Sequence, residues 1–137
     1  MLYIPSSGEE FTEKELYEKF QVRNGGGIRP TRKNKAIILI KSFFAALQGG
    51  YKDGIDEKSG IIYWVGEGEE NQRLVRNNKS IYESKQNGYK LLYFEKHGPN
   101  RLVFRFPVEY VSWSYDKQFN SRGRERQIIV FKLKIIR

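Results

Sequence analysis

The chain has 137 residues, 39% hydrophobic and 15% aromatic, and a formal charge of +9. Length and composition fit one domain with a core of its own, burying roughly two thirds of the surface that the unfolded chain exposes. With no cysteine and a single histidine, disulfides and thiolate metal sites are excluded, as are most zinc sites and most triad chemistry. No window approaches the roughly 18 consecutive apolar residues of a membrane span. Met1-Leu2-Tyr3-Ile4-Pro5 is too short and too quickly polar for a signal peptide, so the expected setting is the cytoplasm.

In chain order, Thr12 and Glu15 form a capping box, with Phe11 and Leu16 as its hydrophobic staple. Leu16, Tyr17 and Phe20 continue the apolar face of a short helix that Asn24-Gly25-Gly26-Gly27 ends near Val22. Ala36 to Ile40 reads as a buried strand, residues 49–54 as a glycine loop, and Ile61 to Val65 as a second strand. A helix is expected from about Asn71 to Lys85, with Leu74, Val75, Ile81 and Tyr82 on one face and Gly88 as its stop. Strands follow over Tyr89–Phe94, Leu102–Phe106, Val108–Tyr115 and Arg126–Ile136. Short strands with two helices interspersed predict an α+β, β-dominated curved sheet or small barrel. No linker divides the chain. Residues 1–22 read as an N-terminal helical segment and 23–137 as the β core of a single domain.

Catalytic groupings are sparse. His97 lies in His97-Gly98-Pro99-Asn100, read as a turn. Glu83-Ser84-Lys85 matches only the short half of an acid…acid-x-Lys magnesium nuclease pattern. The Gly66-x-Gly68 motif is followed by Glu69 and Glu70 rather than by the Lys of a phosphate loop. The expectation is a binding domain without catalytic residues, metal or cofactor; a small metal-dependent nuclease is an alternative.

The positive surplus points to a polyanionic partner, most often nucleic acid. Arg23, Arg29, Arg32, Lys33 and Lys35 surround the Gly25–Gly27 turn, and Lys117, Arg122, Arg124 and Arg126 flank Asn120-Ser121-Arg122-Gly123. Arginine beside glycine suits contact with a phosphate backbone or a groove.

Several segments carry a family resemblance. Gly49-Gly50-Tyr51-Lys52-Asp53-Gly54-Ile55-Asp56 resembles the Gly-Gly-Tyr-x-Asp-Asp loop of SRA (SET and RING associated) domains. Ile62-Tyr63-Trp64-Val65-Gly66-Glu67-Gly68 resembles their aromatic-Tyr-Thr-Gly-x-Gly strand end. Asn77-Asn78-Lys79-Ser80-Ile81 resembles the helix with Asn-x-Ala, and Leu91-Leu92-Tyr93-Phe94 the strand after it. Gly26-Gly27-Ile28-Arg29 with Ile37–Ile40 is similar to the opening of variants found in modification-dependent (Mcr-type) restriction endonucleases.

The resemblance implies a PUA-like curved β-barrel with two flanking helices, which flips a modified cytosine out of double-stranded DNA. Tyr51 would then be the first stacking residue, Asp53 the acid reading the base edge, and Trp64 the second stacking residue, with Tyr63 competing for that role and Val65 beside it. Gly54 replaces the family's second Asp, and Trp64-Val65 stands where Tyr-Thr is usual. A carboxylate suits the amino donor of cytosine, but adenine presents one too, so a PUA-like reader of N6-methyladenine or of RNA is the other alternative. By resemblance, cutting or pumping would come from a fused or separate nuclease or AAA+ translocase. The strand end at Ile135-Ile136-Arg137 fits a domain from a longer protein.

Overall fold

The computed structural model describes residues 3–23, 25–42 and 54–137. Helix α1 (Glu13–Phe20) starts at Thr12 with both halves of the capping box formed. The Glu15 N–H donates to Thr12 Oγ1 (3.1 Å) and the Thr12 N–H to Glu15 Oε1 (2.9 Å). Phe11 and Leu16 are buried in one apolar cluster, as a staple requires. The helix ends at Gln21, whose left-handed backbone (φ 55) lets its N–H return to Tyr17 O.

The strands are β1 (Glu10–Phe11), β2 (Ile28–Thr31), β3 (Ala36–Ser42), β4 (Gly54–Asp56), β5 (Ile61–Val65), β6 (Lys90–Gly98), β7 (Arg101–Phe119) and β8 (Glu125–Ile135). Helix α2 (Arg76–Tyr82) lies between β5 and β6. One sheet runs β2-β3-β6-β7-β8-β5-β4, with β1 against β7. The β3–β6 ladder is parallel. The sheet wraps so far that Ile28 of β2 and Ile62 and Trp64 of β5 share one core cluster. It does not close: among the described residues no ladder joins the two edges, so the expected barrel is a curved, open mixed sheet.

Two apolar clusters result. The inner one fills the concave face with Ile37, Leu39, Leu91, Tyr93, Ile129, Phe131 and Leu133 among others. The outer one packs α1, through Leu16 and Phe20, on Ile38, Ile40, Leu92 and Phe94. Strand β3 therefore buries both faces, which is why it reads as an unbroken apolar run.

Three expectations change. The helix expected over 71–85 is confined to Arg76–Tyr82, because Asn71 and Gln72 are recruited to the edge of β8. Gln72 N–H donates to Gln127 O (2.9 Å), its Oε1 accepts from Ile129 N–H (2.8 Å), and Asn71 Oδ1 accepts from Gln127 N–H (2.8 Å). Val75 and Tyr82, expected on the apolar face, are 52% and 42% exposed.

The strands expected on either side of Pro107 are one 19-residue strand. Pro107 O accepts from Ile136 N–H (3.0 Å), one residue past the β7–β8 register pair Val108–Ile135. The missing proline N–H would point to the same side, away from β6 and past the last residue of β8, so the β6–β7 ladder loses no bond.

His97 belongs to β6 rather than to a turn, with Nε2 3.1 Å from Glu95 Oε1. Beyond α2, Glu83 is the cap, Ser84 is buried with its hydroxyl on Ile81 O (2.8 Å), and Lys85 Nζ lies 4.0 Å from Glu109. Among the described residues no helix is long and apolar enough to cross a membrane, and no group of three His, Cys, Asp or Glu could hold a metal.

Candidate nucleic-acid interface

Strand alternation sorts the residues of β5. Ile62 and Trp64 point to the inner face, while Tyr63 is 44% exposed on the opposite one, in register with Lys132. Of the two aromatics competing for the stacking position, only Trp64 faces the interior. It is 6% exposed and stands edge-on to Tyr93, with ring centroids 6.0 Å apart at 83°. A Cβ on Gly27 would meet its ring at 3.7 Å. The indole Nε1–H is buried and has no hydrogen-bond partner among the described residues. Such a donor costs about 1–3 kcal/mol when left unsatisfied. Val65 is buried beside it. Tyr51 and Asp53 lie outside the described residues, as does the 49–54 loop except Gly54, which opens β4.

Two further aromatics share the inner face. Trp113 of β7 pairs with Phe131, which pairs in turn with Trp64, so the three form a row across β7, β8 and β5. Tyr115 lies one step outward opposite Ile129, in edge contact with Trp113 at 4.8 Å. Trp113 packs on the inner cluster, and Tyr115 is 50% exposed. Sequence reading missed this pair inside an ordinary strand. The signal was an alternation of aromatics, Trp113 then Tyr115, that runs on through Lys117 to Phe119 after core burial has ended.

The Gly66-x-Gly68 strand end is a packing device. A Cβ on Gly66 would stand 2.8 Å from Asn78 Oδ1 and 3.1 Å from Gln72 Oε1, so only glycine fits without displacement. Asn78 Oδ1 accepts from Glu67 N–H (2.9 Å), and its Nδ2 donates to Glu67 O and Arg73 O (both 3.0 Å). Gln72 Nε2 donates to Gly66 O (2.8 Å) and Gly68 O (3.2 Å). The glycine motif and the asparagine helix thus lock onto each other at the end of β5. A cleft of about 660 Å³ opens beside this loop, lined in part by Arg73 and Arg76. With Lys79 these two are exposed cations that sequence reading did not single out.

The basic groups divide. Arg23, Arg32, Lys33 and Lys35 are exposed, but Arg29 is 2% exposed. Its guanidinium makes a bidentate pair with Glu13 (2.7 and 3.1 Å) and its Nε donates to Gly26 O (2.9 Å). Arg29 ties α1 to the sheet, and a phosphate could reach it only by displacing Glu13 from a mostly buried site. In the second group, Lys117, Arg122 and Arg124 are exposed, with Lys117 Nζ 3.9 Å from Glu125. Arg126 is 6% exposed and donates to Gly68 O, bracing the β7–β8 turn from beneath. Glu69, on the same loop, accepts from the Ser121 hydroxyl. That bond, against the opposing effect of desolvation and helped by the Ser121 N–H with Arg126 and Arg122 nearby, holds the Glu69 carboxyl below the usual glutamate range.

A profile described as "ScoMcrA-like, SRA domain" matches residues 7–137. This chain belongs to that SRA family. The fold agrees. A structure titled as the sulfur binding domain and SRA domain of ScoMcrA with phosphorothioated DNA superposes with a TM-score of 0.75 at 19% identity, over 97% of this chain and 40% of that one. The SRA domain of SUVH5 with hemi-methylated CG DNA gives 0.71 at 20% identity, over 99% and 91%. The modification-dependent restriction endonuclease AspBHI gives 0.67 at 18% identity, over 89% and 37%. This SRA domain therefore spans 40% of that two-domain ScoMcrA chain and 37% of the AspBHI chain. A comparison with curated protein sequences finds no significant match.

Proposed function

We propose that this SRA domain reads a modified base in double-stranded DNA, taking the flipped nucleotide onto the inner face of its sheet beside Trp64. The supporting observation is Trp64 itself, a nine-tenths-buried aromatic whose indole donor has no partner among the described residues. A bound base supplies both a ring to pack on and an acceptor for Nε1–H. Tyr51 serves as the second ring, and Asp53 accepts from the exocyclic amino group. Extruding a base costs a few kcal/mol, and stacking returns roughly 1–3 kcal/mol per base, so two rings and one carboxylate offset the cost.

The ligand is 5-methylcytosine, with 5-hydroxymethylcytosine tolerated. One buried methyl contributes about 0.8 kcal/mol, so preference over plain cytosine is about fourfold. The chain acts as a specificity domain whose nuclease or translocase resides elsewhere. The phosphorothioated DNA bound by the ScoMcrA fragment favours a second reading, a sulfur-substituted backbone.

Titration into duplexes differing only at one central site separates these readings: cytosine, 5-methylcytosine, 5-hydroxymethylcytosine, N6-methyladenine or one phosphorothioate link. Salt is held near physiological so that the +9 charge does not mask selectivity. Tighter binding to the modified cytosines is expected. Preference for the phosphorothioate or for methyladenine moves the ligand, and equal binding to all five contradicts base reading.

A further inference from the structure

Among the described residues Phe119 is the most exposed large apolar side chain, at 64%. It sits at the end of β7, between Gln118 and Asn120, which are 8% and 7% exposed. Its ring makes no aromatic or cation contact among the described residues. A flexible loop would fold such a ring down, but this turn is braced. Asn120 N–H donates to Arg124 O (2.8 Å), and Asn120 Oδ1 accepts from the N–H groups of Arg122 (2.9 Å) and Arg124 (3.0 Å). Gly123 supplies the left-handed residue (φ +77) and donates to Asn120 O (3.0 Å). From beneath, Asn120 Nδ2 reaches Glu69 O (3.3 Å), the Ser121 hydroxyl reaches the Glu69 carboxylate, and Arg126 reaches Gly68 O.

The ring is thus held out on a rigid frame. Over residues 117–126 the turn carries four basic residues against one acidic, and three of them, Lys117, Arg122 and Arg124, are exposed. A protruding aromatic among cations is complementary to a polyanion that also offers apolar surface, which describes base steps between phosphates.

We propose that the β7–β8 turn is a second DNA contact, where Phe119 wedges against a base step while Arg122 and Arg124 hold the neighbouring phosphates. The inference rests on the DNA-binding reading above but not on which base is read.

The test compares the parent with Phe119→Ala and Phe119→Lys on the preferred duplex, with 2-aminopurine at steps flanking the target. Since Phe119 is exposed, thermal melts should superimpose. Phe119→Ala is expected to weaken binding about tenfold, the range of one stacked base. Phe119→Lys should weaken it as well despite its added charge, and the 2-aminopurine signal seen with the parent should vanish in both. A Phe119→Lys protein that binds as tightly as the parent, or Phe119→Ala with unchanged affinity, overturns the wedge. The latter result would make the patch a surface for a protein effector. If the parent shows no preference among duplexes yet Phe119→Ala still weakens every one, base reading fails and the wedge stands.

Discussion

The two apolar clusters lie on opposite faces of the same sheet and are finished differently. The outer one is capped by α1: Phe11, Leu16, Phe20 and Val22 close over Ile38, Ile40, Phe94 and Phe104, none above 6% exposure. Its charged neighbour Arg29 is paired with Glu13. The inner one is closed over Phe131 and Leu133 but opens outward along β7, from Trp113 to Tyr115 to Phe119, and its Trp64 donor has no partner among the described residues. A protein that needed only stability would finish both faces alike. The difference fits the proposed division of labour, in which the outer face holds the fold and the inner one the ligand.

The contrast predicts a ranked series. Phe20→Ala removes the fully buried ring that joins α1 to the sheet. It should cost about 3–5 kcal/mol in urea unfolding, while the folded fraction keeps its ratio of modified to unmodified binding. Arg29→Ala leaves Glu13 without its partner in a mostly buried site and should cost about 3 kcal/mol. Its salt dependence of DNA binding should match the parent's; a shallower slope would return Arg29 to the DNA contacts.

Arg122→Ala is the mirror image. Stability should change by no more than about 0.5 kcal/mol, and the slope of log affinity against log salt should fall by about one. The smallest effect is acidic. Because the folded-state pKa of Glu69 is depressed, its bond to Ser121 is present above the ordinary glutamate range and is lost only as pH falls through the lowered value. Amide protection at Ser121 should therefore hold at neutral pH and fade only in acid. Loss between pH 6 and about 5, above the ordinary range, would break that account.

Much of the outer face was legible in sequence because it is local. The Thr12–Glu15 capping box and the Phe11–Leu16 staple need four or five residues of context, and the Ile37–Ile40 run announces a strand buried on both faces. Long-range competition was not legible. Asn71 and Gln72 fit a helical pattern, yet the open edge of β8 takes their side chains first. Pro107 reads as a break until the end of β8 is known. Charge type was visible where charge burial was not: Arg29 and Arg126 look like their neighbours in sequence and differ only through Glu13 and Gly68. Alternation within β5 left Trp64 and Tyr63 undecided until register with Phe131 and Lys132 fixed which one faces inward.

The most direct test of the inner face as the ligand face is Trp64→Phe, which keeps an aromatic ring and removes only the indole donor and its extra carbons. Affinity is compared on a 5-methylcytosine duplex and on its unmodified counterpart near physiological salt. The account predicts a melting curve within about 1 kcal/mol of the parent. It predicts binding to the modified duplex weakened about fivefold to tenfold, the worth of one hydrogen bond to a bound ligand, and binding to the unmodified duplex weakened by no more than that. Equal affinities for parent and variant on both duplexes would contradict it, leaving Trp64 as a core residue and placing the ligand elsewhere.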